Sequence, residues 1–143
     1  MPPGATTRSF ASLAEGEVAR RSFTVSEDEM ASFAEVSGDH NPLHCDEAFA
    51  RSRGYPGRVV YGALLVAKIS QLIGMELPGR NALWSGLDIQ FVSPLFIGQK
   101  ADIEATIVRV SAAVHALELS LRIACQGQPI ARGKAMVTVG RDD

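Results

Sequence analysis

From Val59 to Ile73 the residues are apolar nearly all round, with Lys68 and Gln71 as interruptions. A helix with one apolar stripe can lie on a surface, but one that is apolar on every side has to be enclosed. Gly74 and Pro78 mark its end. The material that encloses it begins after residue 82, where the period of the apolar residues changes to two. Leu87, Ile89 and Phe91 form one alternating set, and Ile103, Ala105 and Ile107, with Arg109 next in the series, form another. Leu117, Leu119, Leu121 and Ile123 follow, and then Met136 and Val137 through Val139. Pro94 and Gly98, Ser111 to Ala113, and Gly127 with Pro129 punctuate these strands. Ahead of the apolar run, Glu17 to Val25 favours a short strand and Ser26 opens a helix. Ser26 and Glu29 have capping-box spacing, and Glu27, Asp28 and Glu29 suit the positive end of the helix. Met30, Phe33, Ala34 and Ser37 are its inner stripe, and it should stop near Gly38. A strand, two helices and a series of antiparallel strands predict an α+β domain in which a sheet wraps one long helix.

A chain of 143 residues that is 46% apolar can bury one real core and is too short for two ordinary domains. It is read as a single domain over 1–143, with 1–12 a flexible N-terminal segment. A net charge of −2, with acids and bases interspersed, gives no basic footprint for nucleic acid. Cys45 and Cys125 lie on segments of different character without paired metal-ligand spacing, which points to a reduced, cytoplasmic protein. Met1 to Ser9 carry no apolar core of a secretory signal, and Val59 to Met75 falls short of a membrane span. No membrane attachment is expected.

The chemistry concentrates between residues 39 and 62. Asp39 and His44 are an acid and an imidazole separated by Pro42, which forbids a continuous helix and allows the two to fold toward each other. The first turn of the apolar helix carries Gly62, and a helix start has free amides that can hold a developing oxyanion. A base, an acid and an oxyanion donor together suit addition or removal of water beside a carbonyl. Asn41 can orient the water, or Asn41-Pro42 can simply initiate a turn; both readings stand. His40 and His44 have the spacing of a helical metal pair, but Pro42 between them disfavours that helix. Lys68 should meet a carboxylate, a helix end or a dimer interface, because a buried unpaired lysine is costly. Arg51, Arg53 and Arg58 read as a solvated basic face.

Asp39-x-Asn41-Pro42-Leu43-His44-x-Asp46, then Ala48-Phe49-Ala50, Val60-x-Gly62-x-Leu64 and Phe91-x-x-Pro94-x-x-x-Gly98, resemble the MaoC-like family of (R)-specific enoyl-CoA hydratases and acyl-thioester dehydratases. The likeness runs from about Glu17 to Val139. It implies a hot-dog fold and a homodimer or dimer of dimers. It also implies a lyase of fatty acid metabolism that hydrates trans-2-enoyl thioesters to (R)-3-hydroxyacyl thioesters, or the reverse. The substrate would be carried on coenzyme A or acyl carrier protein, with no cofactor and no metal. By the same resemblance Asp39 and His44 hold and activate the water, and Ser70 falls where such enzymes often carry a serine that closes the acid/base network. One departure stands out. The family usually has His-Gly where this chain has Tyr61-Gly62, so Tyr61 is expected to shape the entrance of the helix without supplying an essential proton. A hot-dog acyl-CoA thioesterase, or a non-catalytic thioester-binding subunit, would share the fold. The first should carry a carboxylate on or beside the central helix, and Val59 to Met75 contains none.

Overall fold

The computed structural model describes residues 4–141. Strand β1 (Val18–Thr24) leads into α1 (Glu27–Ser37), two short helices α2 (Pro42–Cys45) and α3 (Glu47–Ser52), and the long α4 (Gly62–Met75). Four strands follow: β2 (Ala82–Phe91), β3 (Lys100–Ser111), β4 (Ala116–Cys125) and β5 (Gln128–Val139). All pairings are antiparallel and the order across the sheet is β1-β3-β4-β5-β2. The sheet closes over α4, whose Leu64, Leu65, Ile69, Leu72 and Ile73 are buried against Ile103, Ile107, Leu117, Leu119, Leu121 and Val137. Ile69 and Leu72 are fully enclosed, and burying each such side chain stabilises the fold by about 1.5–3 kcal/mol. The sheet thus wraps one side of the helix, the hot-dog arrangement, but the expected enclosure on every side is not met: Ala63, Ala67, Ser70 and Gln71 form an exposed face of α4.

A curved sheet needs places to bend, and β-bulges supply them. The register of β2 against β5 shifts between Trp84 and Gly86, and that of β3 against β4 between Ile107 and Arg109. The second bulge corrects the sequence reading: Arg109 does not continue the inward series, and Val110 packs on the core in its place. Gly133 is set between Leu121 and Ile89, where a Cβ would stand 2.1 Å from the Asp88 carbonyl oxygen, so that crossing admits glycine alone. On β2, Leu87 and Phe91 share the inward face yet remain 38% and 51% exposed, because β2 is an edge strand that α4 covers only in part.

Helix α1 begins where its cap predicts. The Ser26 hydroxyl accepts from the Glu29 amide, and Gly38 ends the helix in the left-handed region (φ 72°). Met30 and Ala34 are buried, but Ser37 is exposed, its hydroxyl donating to the Phe33 carbonyl. Glu29 does not complete the capping box. Its carboxylate accepts from Lys68 of α4 at 3.1 Å, which gives that lysine the carboxylate it requires. The basic residues are likewise paired: Arg58 with Glu27, Arg51 with Glu47, and Arg53 over the Phe49 ring.

Of the segment expected to be flexible, residues 1–3 lie outside the described residues and the remainder is tied down. The Thr6 amide donates to the Met75 carbonyl, and the Arg80 amide donates to the Thr6 carbonyl. Arg8 pairs with Glu17. The segment therefore straps the C-terminal end of α4.

Candidate active site

The chain enters the site on three local turns. After Gly38, the Asp39 carboxylate accepts from the Asn41 amide, and the Asn41 side chain accepts from the Leu43 amide at 2.9 Å, capping α2. Pro42 occupies the first helical position, where its missing N–H costs nothing. Asp46 then caps α3 by accepting from the Phe49 amide. The side-chain oxygen of Asn41 is thus engaged as a cap, as the turn reading expects, and this cap does not engage its side-chain NH2.

His44 is half-buried, with Nδ1 2.7 Å from the Val59 carbonyl oxygen. A carbonyl only accepts, so Nδ1 carries the proton, and the neutral imidazole keeps its lone pair on Nε2. The ring is stacked on Tyr61, centroids 4.1 Å apart and planes at 28°. His44 and Gly62 line the same cavity, about 300 Å³, whose other walls are apolar apart from Ser93: Val60, Leu65, Phe91, Val92, Pro94 and Leu95 among them. Gly62 opens α4 without a side-chain cap, and among the described residues its amide has no acceptor. An added Cβ there would lie 3.0 Å from the Phe91 ring, so the absence of a side chain lets the ring sit beside the helix start. A histidine with its lone pair on Nε2 and the residue whose amide is free thus line one largely apolar, open cavity. Such a site can move a proton and stabilise an oxyanion.

Asp39 is exposed, and its carboxylate bonds within its own turn rather than to His44. It is joined to the rest through Tyr61, whose hydroxyl donates to the Asp39 carbonyl oxygen at 2.6 Å. Tyr61 stands at the entrance of α4 as its N-cap residue, is 2% exposed and is stacked against His44. Burial pushes its phenol well above the usual tyrosine range, and the neighbouring Cys45 thiol adds to the shift. Ser70 does not join the group. It is exposed on α4, eight residues beyond Gly62 and so about 12 Å along the axis, and it does not line the cavity with His44. Sequence reasoning missed the depth of Tyr61 and the cover by Phe91, because both depend on long-range packing. Among the described residues no three His, Cys, Asp or Glu side chains converge as metal ligands do, and no helix is long and apolar enough to cross a membrane.

A family model described as the MaoC like domain matches residues 9–120. The (R)-specific enoyl-CoA hydratase of Aeromonas caviae is 37% identical over 129 residues, covering 88% of this chain and 95% of that protein. The enzyme of the same name from Rhodospirillum rubrum is 30% identical, covering 91% and 90% of the two chains. Among solved structures, the unliganded R-hydratase PhaJ1 from Pseudomonas aeruginosa superposes with a TM-score of 0.88 at 27% identity, covering 94% of this chain and 86% of that one.

Proposed function

Since this chain belongs to the MaoC-like family, we propose that it is a lyase that reversibly adds water to a trans-2-enoyl thioester, giving the (R)-3-hydroxyacyl thioester. In hydration the water oxygen bonds to C3, one water proton passes to the Asp39–His44 pair, and a proton is delivered to C2. The negative charge that builds on the thioester oxygen is met by the Gly62 amide at the start of α4. The observation that carries this reading is the shared cavity, which His44 and the uncapped residue Gly62 line together among mostly apolar side chains.

Every group in this scheme belongs to the protein, so the reaction runs without a metal or a nicotinamide, and coenzyme A or acyl carrier protein enters only as the substrate's carrier. The two free cysteines suit a reduced cytoplasmic setting. Assembly as a homodimer, or a dimer of dimers, is supported by β2, which leaves an unpaired edge with Leu87 and Phe91 exposed along it.

The test is absorbance at the enoyl-thioester band for a panel of enoyl-CoA and enoyl-carrier substrates, with free thiol followed in parallel. Loss of absorbance without thiol release is the expected result. Thiol release at the same rate would make the chain a thioesterase instead.

A further inference from the structure

The two halves of the site are linked by a side chain that the hydration scheme does not use. Tyr61 directly precedes Gly62, and its ring lies against His44 on one side and Phe33 on another, 4.7 Å away and tilted by 46°. Its hydroxyl donates to the Asp39 carbonyl oxygen and lies 3.4 Å from the Cys45 sulfur. We infer that Tyr61 is a positioning residue, which holds the Asp39 turn and the His44 ring at a fixed place relative to the first turn of α4. This deepens the hydration reading and rests on it.

The argument turns on which bonds are local. The side-chain bonds of Asp39 and Asn41 close turns of two residues, which shape the loop but do not place it against α4. The Asp39 amide is also held locally, by the Ser37 hydroxyl. The tie from Asp39 to the helix that carries the oxyanion donor is the Tyr61 hydroxyl. His44 is fixed twice, by its Nδ1–H to the Val59 carbonyl and by the face of the Tyr61 ring. Tyr61 and Gly62 are adjacent, so the residue that holds the loop is also the residue that leads into the amide. The role is one of position: the hydroxyl proton is engaged with the Asp39 carbonyl oxygen, and burial raises the phenol further above the usual tyrosine range, so it remains a donor.

The experiment uses Tyr61→Phe and Cys45→Ala, with Tyr61→Phe repeated in an Asp39→Asn background. Steady-state kinetics, kcat–pH profiles and amide hydrogen exchange at Asn41 and Leu43 are the readouts. Tyr61→Phe keeps the stacked ring and should lower kcat about tenfold, the typical worth of one hydrogen bond, with KM within about twofold. The Asn41 amide should exchange roughly tenfold faster, and this reads the positioning even if no enoyl thioester turns over. Cys45→Ala should stay within about twofold of wild type. In the Asp39→Asn background the further loss from Tyr61→Phe should shrink to less than about twofold, as expected when both act through one turn. Unchanged kcat and unchanged Asn41 exchange in Tyr61→Phe would overturn the proposal, as would a Cys45→Ala variant that reproduces the tenfold loss. Disappearance of one arm of the kcat–pH profile in Tyr61→Phe would also overturn it, by making the phenol a proton carrier.

Discussion

If the Gly62 amide holds the oxyanion, deleting that single N–H should slow catalysis while leaving the fold intact, and the helix start allows the two to be separated. Gly62 occupies the first helical position of α4, and its amide has no acceptor among the described residues. A proline there removes no internal hydrogen bond and brings a backbone angle already suited to a helix start. Tyr61 has φ −56° and ψ 130°, the extended geometry that a residue preceding proline prefers. The complication is the new Cβ, which would meet the Phe91 ring at 3.0–3.3 Å. That ring is 51% exposed and can give by the few tenths of an ångström required. Gly62→Ala carries the same Cβ and keeps the amide, so it is the control. It should fold normally, with KM raised modestly as Phe91 shifts in the cavity. Gly62→Pro, measured against Gly62→Ala, should lower kcat by about 10²–10³, or about 2.7–4 kcal/mol of transition-state stabilisation. Melting temperatures of the two should agree within about 2–4 °C, the shift that 1 kcal/mol produces in a domain of this size. Rates are read by enoyl-thioester absorbance and folding by calorimetry. A well-folded Gly62→Pro that turns over as fast as Gly62→Ala would refute the assignment of the oxyanion to this amide.

Asp39→Asn and His44→Gln should each reduce turnover by roughly 10²–10⁴-fold without unfolding the protein, and the double variant should lose much less than the product of the two, since both act on one water. Near-wild-type rates in either folded variant would remove that residue from the mechanism. Exhaustive chelation, with no nicotinamide added, should leave the rate unchanged; a loss restored by a divalent metal would return His40 and His44 to consideration as ligands. Sedimentation at micromolar concentration should give a species of at least two chains, and an active monomer would contradict the reading of the β2 edge.

The parts of the fold that were legible in the sequence are those whose physics is local. The apolar stripe of α4 and the strict alternation of Leu117, Leu119, Leu121 and Ile123 each have one low-energy placement, and the Ser26 cap and Gly38 stop mark α1 by backbone chemistry alone. What could not be read depends on distant partners. A bulge between Ile107 and Arg109 reverses the face of the residues after it, and nothing in the spacing of β3 announces it. The N-terminal strap rests on backbone bonds to Met75 and Arg80, to which side-chain patterns are blind. At the site, the His44 and Gly62 association followed from motif spacing. The Tyr61 bridge did not, because a tyrosine ahead of a helix can face solvent as readily as core.

The 300 Å³ cavity is assembled from two stretches of chain that lie far apart in sequence. His44, Val59, Val60, Gly62 and Leu65 come from one, and Phe91 to Leu95 come from the last residue of β2 and the connection that follows it. The first stretch contains the His44 imidazole and the Gly62 amide, with Asp39 a few residues before it, whereas the second contributes wall, apolar apart from Ser93. Chemistry and molecular fit are therefore written in separate places. Variation confined to residues 91–95 can reshape the space available to an acyl chain while the reacting groups keep their mutual geometry. A lineage carrying this domain could change its diet by drift in one short connector, and a laboratory library directed at the same connector would explore substrate range without first having to rescue the reaction.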